Sequence, residues 1–224
     1  MNTAFYPDSQ QPRERLQRYG TGSLSDVELL ALLLQTGVKG SSAQNLAQDL
    51  LDRYPDLATL LATDPLQLCE ERGVGPAQAA RLAATWELYQ RVLITDLCRR
   101  DILGSSAATR KYLQARFHGY QNEAFLCLFL TSQHHIISLE ELFHGTIDGA
   151  AVYPREVVTR CIRHNAAAVI FAHNHPSGVA EPSQADISIT RKLIAALSTI
   201  DVRVLDHLVI GYGEVVSLAE RGLL

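Results

Sequence analysis

The sequence has few cysteines, and none of them form the closely spaced pairs that metal sites use. The four are Cys69, Cys98, Cys127 and Cys161, and each lies in an apolar context. A cysteine-based zinc site typically places two cysteines within a few residues of each other. We therefore expect free, buried thiols rather than disulfides or a cysteine metal site, as is usual in a reducing compartment.

Long apolar runs and a large excess of one charge are also absent. No apolar run approaches the ~20 residues that a membrane-spanning helix needs. The start of the chain, MNTAFYPDSQQP, lacks the basic and apolar segments of a signal peptide. The formal net charge of −4 provides no overall attraction to nucleic acid or to an anionic membrane. We expect a cytoplasmic protein without a membrane partner.

The pattern of helices and strands divides the 224 residues into two parts. The first part consists of short amphipathic helices separated by glycine and proline. The second begins with a helix and then interleaves strands and helices, with apolar strands over residues 123–130 and 166–171 and a returning strand over 136–142. We predict an all-helical domain over residues 1–100 and an α/β domain with a mixed sheet over residues 101–224.

A glycine-rich turn in the first part has the form of a helix-hairpin-helix element. Gly73 and Gly75 lie between two predicted helices, where glycines let backbone N–H groups approach a phosphate closely. They serve equally well in a tight interhelical turn with nothing bound. Residues 1–100 hold 10 Lys and Arg against 12 Asp and Glu, so few cations are available for DNA phosphates. Weak, non-specific DNA binding is the most that this pattern predicts.

The chemically most informative stretch is 171–186, FAHNHPSGVAEPSQAD. His173 and His175 follow a predicted strand at i and i+2, so their side chains point to the same side. Ser183 and Asp186 are three apart at the start of a predicted helix and share a face. Two imidazoles and a carboxylate are a typical ligand set for a catalytic zinc ion with a water in the fourth position.

Each part of this set also has a purely structural explanation. A histidine pair with one intervening residue is common, and aspartate favours helix starts because it caps the helix and interacts with its dipole. The combined spacing is what indicates a metal-activated hydrolase site.

Longer segments around these residues resemble one family. They are PREV at 154–157, AHNHPSG at 172–178, PSQAD at 182–186 and LDHLVIG at 205–211. These segments resemble RadC proteins, and the order His-x-His, seven residues, Ser, two residues, Asp matches the JAMM motif of the MPN metalloproteases. The resemblance extends over nearly the whole chain and includes the glycine-rich turn.

The resemblance implies an MPN-type mixed-sheet fold and a zinc-dependent hydrolase of the metallopeptidase or isopeptidase type. It implies one Zn²⁺ per chain, held by His173, His175 and Asp186, and a protein or peptide as substrate. A bound zinc ion lowers the pKa of its water to ~7, which supplies hydroxide at neutral pH. No motif indicates the identity of the substrate or an oligomeric state.

The resemblance also implies a glutamate base on an earlier strand, just before a Gly-Thr turn. Glu140 and Glu141 both precede Gly145-Thr146, and matching the motif favours Glu140. Strand alternation agrees weakly, because Glu140 shares a face with polar Ser138. Ser183 is expected to orient the water or to stabilise the oxyanion, with helix capping as the alternative.

Two other functions fit parts of the sequence. RadC proteins carry an old DNA-repair label, and a DNA-associated accessory protein that binds through Gly73 and Gly75 is the main alternative. A metal-holding domain that serves protein interaction without catalysis is another. The pair Asp206-His207, in a predicted apolar strand, could support the ligands from outside or could be a satisfied polar pair. The pattern favours the second.

Overall fold

The computed structural model describes residues 11–37, 41–98, 106–145 and 152–224. The predicted domain boundary near residue 101 and Thr146 of the predicted Gly-Thr turn lie outside these residues. The chain separates into two compact units, Met1–Tyr89 and Gln90–Leu224. None of the helices within the described ranges is long and apolar enough to cross a membrane.

The first unit is all-helical, as predicted. Its helices are α1 (Pro12–Tyr19), α2 (Asp26–Leu34), α3 (Ala43–Arg53), α4 (Leu57–Ala62), α5 (Pro65–Leu68) and the first part of α6 (Pro76–Cys98). Ser25 and Ser42 cap α2 and α3 by accepting a backbone N–H of the first turn. Pro12 and Pro65 occupy first-turn positions, where their missing N–H costs nothing. The core consists of buried leucines from α2 to α6: Leu30, Leu34, Leu46, Leu50, Leu60, Leu68 and Leu82.

The division between the two compact units falls inside α6, between residues 89 and 90. Leu97 near the end of α6 is fully buried in the core of the second unit, and Leu93 and Ile94 pack against the same core. The helix continues without interruption while the core to which its side chains belong changes. The composition of the sequence changes only where α6 ends, which is why the sequence places the boundary later.

The second unit contains a five-stranded mixed sheet, which confirms the predicted α/β fold class. Its elements are α7 (Ser106–Phe117), β1 (Glu123–Leu130), β2 (Ile136–Gly145), α8 (Pro154–His164), β3 (Ala168–Asn174), α9 (Gln184–Ser198), β4 (Arg203–Ile210) and β5 (Val215–Ser217). The strand order is β2-β1-β3-β4-β5, and only β3 and β4 are parallel. A parallel pair needs a crossover, and α9 provides it.

Strand β1 is covered on both faces, which explains its uninterrupted apolar run. Its even-numbered residues over 124–130 share a cluster with Tyr112 of α7. Its odd-numbered residues over 125–129 share another with Val157 of α8 and Leu193 of α9. The sheet therefore separates two apolar layers.

The end of β3 carries His173 on the face that α8 and α9 cover, while Asn174 points to the other side. The Asn174 side chain accepts the N–H of Ala124 at 2.8 Å and donates to the carbonyl of Asn122 at 3.1 Å. These bonds tie the end of β3 to the start of β1. They support the register in which Phe125 lies opposite His173.

Gly211, after β4, lies against the loop that follows His175. A Cβ added at Gly211 would lie 2.3 Å from the carbonyl oxygen of Gly178 and 2.8 Å from the nitrogen of Ala180, so backbone would have to move. We expect Gly211→Ala to lower the free energy of unfolding by roughly 1–3 kcal/mol, measured by urea denaturation. Gly213→Ala is the control, because its φ of +74° is strained for alanine but nothing lies within 4 Å of the added atom. Equal losses in both variants would contradict the close approach.

Candidate metal centre

Three potential ligands converge from the end of β3 and the first turn of α9. The Nε2 atoms of His173 and His175 lie 3.0 Å apart. Asp186 Oδ1 lies 3.3 Å from the first, and Asp186 Oδ2 lies 3.5 Å from the second. In a tetrahedral site with metal–ligand bonds of ~2.0–2.2 Å, the ligand atoms are roughly 3.3–3.5 Å apart. The donor set and its spacing therefore fit a metal ion.

The hydrogen bond of each ring fits the same role. His175 Nδ1 lies 2.8 Å from the carbonyl oxygen of Val179, which can only accept, so Nδ1 carries the hydrogen. In the neutral ring this leaves the lone pair on Nε2, which faces the cluster. His173 Nδ1 lies 2.8 Å from Nε2 of His207, a buried residue on β4.

Asp186 is held in place by a capping box at the start of α9. Its Oδ2 accepts hydrogen bonds from the Ser183 N–H at 2.7 Å and from the Ser183 hydroxyl at 2.6 Å, and Ser183 Oγ accepts the Asp186 N–H at 3.1 Å. Ser183 thus caps the helix, which was the alternative role expected for it. Oδ1 remains directed towards His173.

The electrostatics of the cluster follow from burial and these bonds. Burial opposes ionisation of Asp186, but the interaction with the imidazoles of His173 and His175 outweighs it and holds the pKa of this carboxyl well below its usual range. The neighbouring Asp186 carboxylate raises the pKa of His175. Burial, reinforced by the nearby His173, holds the pKa of His207 well below its usual value. The ionised Asp186 carboxylate therefore lies beside the rings of His173 and His175. The neutral imidazole of His207 contacts His173 from the buried side.

Aromatic packing orients the buried part of the site. The Phe125 ring is stacked with His173 at 6.2 Å between centroids, with 7° between the planes. Phe125 also meets His207 edge-on at 5.2 Å, and Phe171 meets His207 edge-on at 6.1 Å. These apolar rings restrict both imidazoles, so the orientation of His173 is set by its neighbours.

The structure does not bring Glu140 or Glu141 to this cluster. Glu140 Oε1 lies 2.6 Å from His164 Nε2, and its Oε2 lies 3.0 Å from Arg160 on α8. Glu141 points to the other face and accepts from the Tyr120 hydroxyl at 3.0 Å.

The strand register explains this position. Glu140 lies opposite Cys127, and Cys127 lies opposite Phe171, two residues before His173. That offset, across two strand spacings, puts the Glu140 backbone roughly 12 Å from that of His173. The prediction that Glu140 acts as the base depends on matching the motif and on strand alternation, neither of which fixes this distance.

Glu123 is a further glutamate near the cluster, and the sequence alone did not indicate it. Phe125 pairs with His173 at the end of the antiparallel register, and Glu123 lies two residues before Phe125 on the same face of β1. The side chain is exposed. The charge of Glu123 raises the pKa of His175. This effect is smaller than the increase caused by Asp186, the decrease caused by burial and the increase caused by the Val179 carbonyl. The only signal of Glu123 in the sequence is its position as the first residue of the apolar strand.

Gly73 and Gly75 lie in the turn before α6, and the Gly75 N–H is hydrogen-bonded within the protein. Gly73 has a φ of +96°, which suits glycine in a tight turn. The N–H of Gly75 donates to Gln78 Oε1 at 2.7 Å, and Gln78 in turn donates to the carbonyl of Thr36 at 2.8 Å. The backbone group expected to meet a phosphate is already hydrogen-bonded.

Comparison with known proteins gives a consistent result across the chain. Residues 103–223 match the RadC-like JAB domain, and residues 4–80 match the UPF0758 N-terminal domain. A UPF0758 protein of Marinobacter nauticus is 52% identical over 224 residues, all of both chains. One from Nitrosococcus oceani is 51% identical over 219 residues, 98% of each chain. One from Methylibium petroleiphilum is 52% identical over 218 residues, 97% of this chain and 98% of its own.

A helical unit followed by a mixed sheet that carries this His-His-Asp cluster defines a RadC-like JAB-domain protein. The resemblance to RadC proteins is thereby confirmed. The chain belongs to the UPF0758 family.

The ion pairs of Glu140 predict a pH-dependent contribution to stability. Burial raises the pKa of Glu140, but His164 and Arg160 lower it overall, so the folded value lies below the ordinary 4.5. The stabilisation is therefore present above 4.5 and is lost as the pH falls through the folded pKa. We expect Glu140→Gln to lower the free energy of unfolding by up to about 1 kcal/mol at neutral pH.

That difference should vanish in acid, where urea denaturation would compare the variant with the wild type. Glu156→Gln is the matched control, because Glu156 contacts only the highly exposed Arg155 among the ion pairs of the described residues, at 3.6 Å. A loss from Glu140→Gln that is equally large at neutral and acid pH would contradict the ion-pair assignment.

Proposed function

We propose that this protein is a zinc-dependent hydrolase of the metallopeptidase or isopeptidase type. The observation that carries the proposal is the close approach of three ligand side chains, whose nearest donor atoms lie 3.0 to 3.5 Å apart, with both Nδ1 atoms bound elsewhere. Neutral imidazoles and a carboxylate suit Zn²⁺. His173, His175 and Asp186 would hold the ion, which supplies a water of lowered pKa and polarises a carbonyl when bound. The family membership supports a peptide or protein as the substrate class.

In this proposal Glu123 moves the proton. A general base must lie within reach of the attacking water and must be accessible to the substrate. Glu123 is exposed, and its charge acts on His175, whereas Glu140 is engaged by Arg160 and His164. The Glu123 carboxylate would accept a proton from the water and return it to the leaving amine.

Ser183 acts in this proposal by positioning Asp186. Its hydroxyl hydrogen is directed at Asp186 Oδ2, so donation to an oxyanion would require that bond to break. The cap keeps Oδ1 turned towards the rings. Ser183 therefore contributes first to metal affinity, and a role in stabilising an oxyanion would come second.

Metal content tests the ligand set directly. We expect purified wild-type protein to hold about one equivalent of zinc per chain, measured by elemental analysis, because three ligands suffice for a catalytic site. The double variant His173→Ala, His175→Ala should hold less than about a tenth of an equivalent, since one carboxylate alone binds zinc weakly. His134→Ala, in the turn between β1 and β2, is the control for loss of an imidazole elsewhere. A wild-type protein as poor in zinc as the double variant would sink the proposal.

Turnover distinguishes the two candidate bases. We expect Glu123→Gln to reduce cleavage of a peptide library, followed by mass spectrometry, about 10²- to 10⁴-fold while zinc content stays unchanged. Glu140→Gln, the matched control, should retain cleavage after correction for folded protein. The reverse result would assign the base to Glu140. Zinc binding with no cleavage by the wild type would favour a metal-holding domain without catalysis.

A further inference from the structure

Behind His173 runs a chain of three hydrogen bonds that leads back to a second ligand. His173 Nδ1 lies 2.8 Å from His207 Nε2. His207 Nδ1 lies 2.6 Å from Thr190 Oγ1, and Thr190 Oγ1 lies 2.5 Å from the carbonyl oxygen of Asp186. Thr190 stands one turn after Asp186 on α9. The chain therefore joins the strand ligand His173 to the helix ligand Asp186.

The donor and acceptor of each hydrogen bond follow from the single hydrogen of the Thr190 hydroxyl. A carbonyl oxygen only accepts, so the single hydroxyl hydrogen of Thr190 is committed to Asp186. Thr190 Oγ1 must then accept from His207 Nδ1–H. Burial disfavours a charged imidazolium, so the other nitrogen of His207 carries a lone pair. His207 Nε2 accepts from His173 Nδ1–H, and the lone pair of His173 is left on Nε2.

The residues in the middle of this chain of hydrogen bonds are buried, and further hydrogen bonds hold the backbone of His207. The residues Thr190 and His207 are both 0% exposed. The backbone N–H of His207 donates to Asp206 Oδ1 at 2.7 Å, and the other oxygen of Asp206 accepts from the Ser217 hydroxyl at 2.7 Å. Because water cannot replace a buried partner, the loss of one bond leaves a neighbouring nitrogen unsatisfied. His207 therefore does more than complete a local polar pair.

We propose that Thr190 is a positioning residue that, through His207, fixes the tautomer of His173 so that a bare Nε2 faces the metal. This inference rests on the proposed zinc site. The same hydroxyl binds the backbone of Asp186, so one side chain sets the protonation of one ligand and supports the position of another. Partners of this kind behind metal ligands typically change metal affinity 10- to 100-fold when they are lost.

Thr190→Val tests the proposal, because valine has nearly the same shape but no hydroxyl. The variant lacks the Thr190 oxygen that accepts from His207 Nδ1–H, so this N–H has no partner. The tautomer of His207 that carries its hydrogen on Nε2 is then favoured. That hydrogen would face His173 Nδ1 and drive the His173 hydrogen to Nε2. We expect the Nε2–H tautomer of His173 in the metal-free variant, seen by ¹⁵N-detected NMR of the imidazoles, and zinc affinity about 10- to 100-fold lower by competition with a chelator.

Two further variants separate this role from a structural one. Thr190→Ser restores the hydroxyl and should restore the Nδ1–H tautomer and most of the zinc affinity. Thr159→Val is the matched control, because Thr159 makes the same bond to a carbonyl four residues back, that of Arg155 at 2.8 Å, on an exposed face of α8. It should change neither readout.

The proposal is overturned if Thr190→Val keeps the wild-type tautomer of His173 and binds zinc as tightly as Thr190→Ser. If the wild type binds no zinc, the proposed function fails, yet the NMR comparison in metal-free protein still decides whether Thr190 sets the tautomer. If Thr190→Val does not fold, His207→Leu serves instead. It removes the acceptor of His173 Nδ1, and an unchanged tautomer in it would equally overturn the proposal.

Discussion

Two imidazole nitrogens lie 3.0 Å apart beside a half-buried carboxylate, an arrangement that is unfavourable unless a proton or a cation balances it. Lone pairs that meet in a poorly solvated space repel one another unless a proton or a cation lies between them. Asp186 sharpens this demand because its own ionised state is strongly favoured. The surrounding groups reinforce the demand by accepting the Nδ1 hydrogens of both rings, which leaves both Nε2 lone pairs facing the cluster. A cation among these donor atoms would remove the repulsion.

The backbone produces this convergence from two local rules. Strand alternation places His173 and His175 on one side, and a capping box places Asp186 on the first turn of α9. The Ser183 hydroxyl both donates to the Asp186 carboxylate and accepts its N–H, so one residue starts the helix and aims the ligand. Helix stability and ligand geometry are therefore coupled at Ser183. The Thr190 hydroxyl adds a second such coupling one turn later.

These rules also explain how much of the site could be predicted. The ligand set depends on spacings of two and three residues, which the sequence displays directly. The position of the base depends on how β1, β2 and β3 are aligned, and that alignment includes an irregularity between Phe125 and Leu126. A one-residue shift of this kind reverses which side chains face the cluster. The sequence therefore favours Glu140 from the motif and from strand alternation, and it carries no sign of how near Glu123 comes to the cluster. The division of the two compact units inside α6 is hidden from the sequence for a related reason, since an uninterrupted helix does not mark a change of core.

The three ligands are unequally exposed, and this asymmetry divides the roles of their neighbours. The His173 side chain is only 6% exposed and is backed by Phe125 and His207, whereas those of His175 and Asp186 are 14% and 17% exposed. On the closed side, contacts can only fix geometry and protonation, because neither water nor substrate reaches them. On the open side, where Glu123 stands, groups can exchange with solvent. Substitutions of the buried residues that contact His173 should therefore change the affinity for the ion. Substitutions of the exposed residues near His175 should change the turnover of a substrate.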